Sequence, residues 1–225
     1  MGVNMKRLIT GILVSALPIF GLAITSAPAN AAIKCSQTTI KPFTPGKIAQ
    51  PNKAAASLPK RFTFNTNCGL IEVTLNPKAP LTITSLAALI RGKYYDNSFC
   101  HRLTTDGLFV LQCGDPTFTG GGSPTGWKGY KEENLPKNGE NNYPAGTVAM
   151  ANAGSGTNGS QMFFVYKNTT LPPNYTIFGR ITKGLDVIEF IAKQGAVKQG
   201  QDGKWYYQPD GYPIQNVRIN SAKVS

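Results

Sequence analysis

The stretch from Phe99 to Asp115 reads F-C-H-R-L-T-T-D-G-L-F-V-L-Q-C-G-D and is the part of the chain from which its fold is best argued. Val110 and Leu111 are apolar and β-prone, Leu103 precedes a polar T-T-D-G break, and Gly107 sits where a turn is needed, so a hairpin is predicted. Arg102 and Phe109 are then expected near each other across the pair, with Gln112 close by. An arginine beside an aromatic ring makes a pocket with one apolar wall and one hydrogen-bonding wall. That combination suits proline, whose ring is apolar and whose imide is polar. Taken alone, the hairpin reads more simply as a structural element with a surface arginine. A second segment changes the balance: Ala151 to Phe164, A-N-A-G-S-G-T-N-G-S-Q-M-F-F, is glycine- and asparagine-rich and runs into an apolar strand.

Together these segments resemble the cyclophilin-type prolyl isomerases. The resemblance is carried by Cys100-His101-Arg102, Phe109, Gln112-Cys113-Gly114-Asp115, Met150 to Phe163 and Tyr175-Thr176-Ile177-Phe178-Gly179, in matching order, and covers about Pro59 to Val224. It implies an isomerase that needs no metal or cofactor and acts on proline-containing peptides. Arg102 would hydrogen-bond the imide nitrogen as the bond twists. Gln112 and Gln161 would orient Arg102 and the moving carbonyl. Phe109, Met162, Phe163, Leu171 and Tyr175 would hold the proline ring, and Ala151 and Asn152 would line the peptide-binding side, with the Asn152 backbone pairing with the substrate. Placing Phe109 in the pocket assumes that a short insertion lies within Thr104 to Leu108. Met162 replaces the first phenylalanine of the usual Q-F-F, and Tyr175 stands where a histidine is common. Thr170 replaces a rim tryptophan associated with tight cyclosporin binding, so weak cyclosporin binding is expected.

The first 31 residues read as a signal peptide. Lys6 and Arg7 precede an apolar run from Leu8 to Ile24, and Ser26 to Ala31 supply an A-x-A site. Pro18 and Gly21 interrupt the run and no basic cluster follows, which argues against a membrane-spanning helix. Lys34 occupies the place where lipid attachment at Cys35 would need a small residue. An exported location is therefore expected: extracellular, cell-wall-associated or periplasmic. The net charge of the chain is +12. Its basic residues are scattered, so nucleic acid is not an expected partner, whereas weak, salt-screened attraction to anionic wall polymers is. Export makes the four cysteines interpretable. None forms C-x-x-C, and with one histidine a zinc site is poorly supplied. Three pairings are possible. Cys100 and Cys113 flank the hairpin and would face each other across it, leaving Cys35 for Cys68.

Residues 32–58 are rich in Lys, Pro, Ala, Ser and Thr without apolar periodicity and read as an extended tail; 59–225 read as the isomerase domain. Arg61 to Asn65 and Leu70 to Leu75 alternate around Asn67-Cys68-Gly69, Pro80 opens a helix stopping near Gly92, and a second helix is expected over Leu185 to Lys193. Further strands are expected at Gly146 to Ala151, Met162 to Tyr166, Thr176 to Ile181 and Asn216 to Val224. The fold class is mainly β, a closed antiparallel barrel capped by two helices, and a monomer is expected. Other chemistry is poorly supported. Gly154 to Ser160 lacks the lysine of a phosphate loop, and no G-x-S-x-G elbow accompanies His101. The reading from a different class is a chaperone module that grips proline without turnover. The natural clients of either would be unfolded exported proteins.

Overall fold

The computed structural model describes residues 32–225, and the leader read over 1–31 lies outside them. The ordered elements begin with a hairpin, β1 (Arg61–Thr66) and β2 (Gly69–Leu75), in which Phe62, Phe64, Ile71 and Val73 alternate into the core. Thr66 Oγ1 accepts from the N–H groups of Cys68 and Gly69 and so closes the turn. Helix α1 (Pro80–Arg91) starts on proline, whose missing N–H costs nothing there, and buries Ile83, Leu86, Leu89 and Ile90. No neighbouring side chain caps it. Instead the Glu133 carboxylate reaches across to accept from Leu81 N–H at 3.0 Å and Thr82 N–H at 2.8 Å, placing negative charge on the positive end of the helix.

Five short strands follow: β3 (Ser98–Phe99), β4 (Arg102–Thr104), β5 (Val110–Cys113), β6 (Thr147–Met150) and β7 (Met162–Val165). Next come β8 (Ile177–Lys183), helix α2 (Leu185–Gln194), and a group that the sequence reading did not anticipate: β9 (Ala196–Gln199), β10 (Trp205–Gln208) and β11 (Asp210–Pro213). The last strand is β12 (Arg218–Val224). All pairings are antiparallel, in the order β10-β9-β11-β4-β5-β7-β6-β8-β2-β1-β12-β3.

The expected closed barrel is therefore not what hydrogen bonding makes. The ladder is open among the described residues, because β3 pairs only with β12 while β4 pairs with β5 and β11. The reason lies at Cys100 and His101. Cys100 N–H donates to Val217 O on the β12 side, whereas His101 N–H donates to Gln112 O on the β5 side. The chain itself crosses from one end of the ladder toward the other, where a closed barrel would have a further pair of strands.

Strands β6 and β7 are buried on both faces, which is why T-V-A-M and M-F-F-V are almost uninterrupted apolar runs. Leu111, Val148, Met150, Met162 and Phe164 join the main core with α1 and α2. Val110, Ala149, Phe163 and Val165 face the other way and build a smaller cluster around Tyr143. Residues 32–58 contain no helix or strand, yet they are fastened to the body. Cys35 is bonded to Cys68, Ser36 N–H donates to Asn67 O, and Trp127 Nε1–H donates to Ile48 O at 2.9 Å.

Candidate active site

Strand alternation assembles the site. Arg102 on β4 lies opposite Gln112 on β5, which in turn lies opposite Phe163 on β7, so three consecutive strands present one side chain each to a common face. Val110 and Leu108 share that face with Gln112, two and four residues earlier on the same strand and its approach. Ala151 and Asn152 arrive from the end of β6, and Leu171 and Tyr175 from the loop before β8. These residues enclose a cavity of about 170 Å³, apolar at its base and polar along the Arg102–Gln112 edge. A groove of about 330 Å³ adjoins it, sharing Gln112, Ala151 and Asn152 and walled by Gly120 to Gly122, Trp127 and Gln161.

The polar edge is a connected relay. Arg102 Nη1–H donates to Gln112 Oε1 at 3.2 Å, and Gln112 Nε2–H donates to Gln161 Oε1 at 2.9 Å. Gln161 Nε2–H is held by Gly120 O at 2.9 Å and Gly122 O at 3.0 Å. On its far side Arg102 is forked onto Asp210 of β11, with Nε–H to Oδ1 at 2.8 Å and Nη2–H to Oδ2 at 2.7 Å. That carboxylate raises the guanidinium pKa further, so the charge on Arg102 is secure at any working pH. Asp210 is held below the usual carboxylate range by the same pair.

The apolar base is an aromatic cluster. The rings of Phe163 and Tyr175 meet edge to face at 5.6 Å between centroids, and both contact Tyr143 at 6.2 Å. The Tyr143 hydroxyl accepts from Tyr175 N–H at 3.1 Å and donates to Tyr175 O at 3.0 Å, tying the loop to the strands. Burial pushes the Tyr143 phenol up to about 12, so it remains a neutral donor and acceptor. Asn152 spends its side chain locally, donating from Nδ2 to Asn174 O and accepting from Gly154 N–H.

A sequence profile described as "Cyclophilin type peptidyl-prolyl cis-trans isomerase/CLD" matches residues 61–224, which is most of the chain. The chain belongs to this family. Among curated relatives, the cyclophilin is 42% identical over 197 residues to a probable peptidyl-prolyl cis-trans isomerase B of Mycobacterium leprae, covering 82% of this chain and 62% of that one. Its counterpart in Mycobacterium tuberculosis is 45% identical over 168 residues, covering 70% and 52%. The chain thus spans between half and two thirds of the length of these relatives. Among solved structures, a Cryptosporidium parvum cyclophilin type peptidyl-prolyl cis-trans isomerase, crystallised in the presence of the dipeptide Ala-Pro, superposes with a TM-score of 0.59 at 25% identity. That match covers 73% of this chain and 98% of the other.

Within the cyclophilin, Arg102, Gln112, Ala151, Asn152, Phe163, Leu171 and Tyr175 line one cavity, and Gln161 joins them through Gln112. Phe109 and Met162 do not. Phe109 is out of phase with Gln112, so its ring turns to the opposite face, where it meets Tyr166 at 6.0 Å with Lys167 Nζ 4.5 Å from the ring centre. The pocket wall expected of Phe109 is supplied by Leu108 and Val110. Met162 lies beside Phe163 on one strand, so the two cannot share a face; Met162 is fully buried in the main core. Thr170 is exposed, its hydroxyl accepting from Asn141 N–H at 2.9 Å. Cys100, two residues before Arg102, is bonded to Cys113, the residue after Gln112. Leu108, Val110, Tyr143 and Asp210 were not anticipated. The first two were recoverable from their two-residue spacing with Gln112, whereas Tyr143 and Asp210 come from distant segments without a recognisable pattern.

Proposed function

We propose that this cyclophilin is an exported peptidyl-prolyl cis-trans isomerase that speeds the folding of exported proteins by rotating X-Pro bonds. The observation that carries the proposal is a permanently charged, pre-oriented guanidinium at the mouth of an apolar cavity. Rotation about an imide is slow because twisting destroys resonance, and at tens to hundreds of seconds it limits folding. At the twisted state the imide nitrogen regains a lone pair, which Arg102 accommodates by donating an N–H. Since that contact forms chiefly in the transition state, it lowers the barrier without tightening ground-state binding. Phe163, Leu171, Tyr175, Val110 and Leu108 hold the ring, while the peptide runs along Ala151 and Asn152. Gln112 and Gln161 orient the arginine and the moving carbonyl. The step transfers no proton and consumes no ATP, which suits a compartment without nucleotide.

Export is supported by the leader pattern over 1–31 and by the two disulfides, which persist in oxidising surroundings. The Cryptosporidium relative was crystallised in the presence of Ala-Pro, the class of ligand proposed here. A protease-coupled assay on an X-Pro peptide tests the activity. Arg102→Ala is expected to lower kcat/KM by at least tenfold, about 1.4 kcal/mol of transition-state stabilisation, with the melting temperature little changed. An unchanged rate in the folded variant would overturn the mechanism. Peptide binding by the wild type without turnover would favour the non-catalytic chaperone module.

A further inference from the structure

We propose that Asp210, carried into place by the β9–β11 group, is a positioning residue of the isomerase site that fixes the plane of the Arg102 guanidinium before substrate arrives. The proposal rests on the reading of Arg102 as the group that works on the imide. A guanidinium has five N–H donors. Asp210 takes Nε–H and one Nη2–H, and Gln112 takes one Nη1–H, which leaves one donor on each terminal nitrogen.

The direction from which Asp210 approaches decides what those two donors can do. Arg102 separates two hollows: it lines the 170 Å³ cavity and also a cleft of about 280 Å³ that contains Asp210, Lys198 and Tyr212. Asp210 belongs to the cleft alone. The carboxylate therefore grips the arginine from behind and does not compete with a peptide in the proline cavity. Without it, a long side chain with its head at the surface would sample several rotamers, and ordering it would be charged against every turnover.

The backbone around Asp210 is arranged for this contact. Asp210 lies opposite Thr104, the next residue on the Arg102 face of β4, so it meets Arg102 along the diagonal that long side chains span. Thr105 N–H donates to Pro209 O at 2.8 Å, which secures the approach to the strand. Any side chain at Gly211 would collide with the Val197 carbonyl, so glycine there lets β11 lie close against β9. Tyr212 then stacks on Phe118, with centroids 5.1 Å apart, and anchors the far end. An isolated surface ion pair contributes little, but this one is bidentate, set by two strand ladders and joined to the Gln112–Gln161 relay.

The test is a mutant cycle read by exchange NMR on an X-Pro peptide, with kcat and KM separated and folding checked by far-UV dichroism. Asp210→Asn should lower kcat by about tenfold, with KM changed by no more than about twofold. Asp210→Glu, which restores charge and both oxygens, should recover most of the loss. In an Arg102→Ala background, Asp210→Asn should cost nothing further, because the residue acts only through the arginine. An undiminished or raised rate in Asp210→Asn, or the same loss with and without Arg102, would overturn the positioning role. If Arg102→Ala itself left the rate intact, the reading of the site would fail, and this role with it. An inert Asp210→Asn beside a slow Arg102→Ala would overturn the positioning role alone.

Discussion

His101 stands between the disulfide-bonded Cys100 and Arg102, and its chemistry is set by burial. It is only 5% exposed, and its pKa is lowered, chiefly by desolvation, with nearby Asp115 and Gln161 opposing that effect. A histidine that prefers to stay neutral in the fold is protonated more readily in the unfolded chain. Its contribution to stability is therefore complete above the ordinary value of 6.5 and is lost as pH falls from there toward the lowered value. Because it is the only histidine, the effect can be isolated. The melting temperature of the wild type should fall more steeply between pH 7 and pH 5 than that of His101→Gln, and parallel curves would refute this. At this scale the motifs pointed to residues that the structure brings together, as with Arg102, Gln112, Gln161 and Phe163. They also pointed to Phe109 and Met162, which the two-residue period of a strand turns away from the cavity. The fork from Asp210 was invisible, since nothing local ties position 210 to position 102.

Among elements, the β4–β5 pair shows how covalent structure can serve a site. Cys100 and Cys113 are joined at the end of this pair away from its turn, two residues before Arg102 and immediately after Gln112. Cys100 and the following His101 mark the point where the backbone passes from the β12 side to the β5 side. The bond thus secures the register that sets Arg102 against Gln112 where ladder hydrogen bonds are sparse. A Cys100→Ala, Cys113→Ala double variant should lose isomerase activity at temperatures where its far-UV dichroism is still native. A variant lacking the other disulfide should keep its activity there. Equal activity in both would show that the bond does not tune the site. The hairpin and helices were readable because apolar periodicity and turn residues agreed. Strands β9–β11 were not, because β10 is exposed along its whole length and no alternation marks it. Tyr212 packs on Phe118 and against Trp205 rather than into either core, and Tyr206 and Tyr207 are exposed.

For the molecule as a whole, the sequence indicated the mainly β class and both helices but not the β9–β11 group or how the sheet ends, because closure depends on pairing between residues far apart. The tail is a similar case: composition marked residues 32–58 as extended, and the structure adds that Ile33, Cys35, Ile48 and Leu58 pack against the main core. Its anchors are distributed, with Gln50 exchanging hydrogen bonds with Gly129 O and Lys128 N–H, and Asn216 Nδ2–H donating to Thr38 O. The Cys35–Cys68 bond closes a loop with a sequence separation of 33. In the chain-entropy account, a loop of that size stabilises by about 3–4 kcal/mol. For a domain of this size that corresponds to roughly 10 °C in melting temperature. The Trp127–Gly129 wall is held by Ile48 and Gln50, not by Cys35, and the cavity beside Arg102 contains no tail residue. A Cys35→Ser, Cys68→Ser variant should therefore melt roughly 10 °C lower while turning over a short X-Pro peptide at the wild-type rate at 25 °C. An unchanged melting temperature would mean that the tail lies outside the cooperative unit, and a slowed reaction would mean that the tail reaches the site by a route other than the contacts described here.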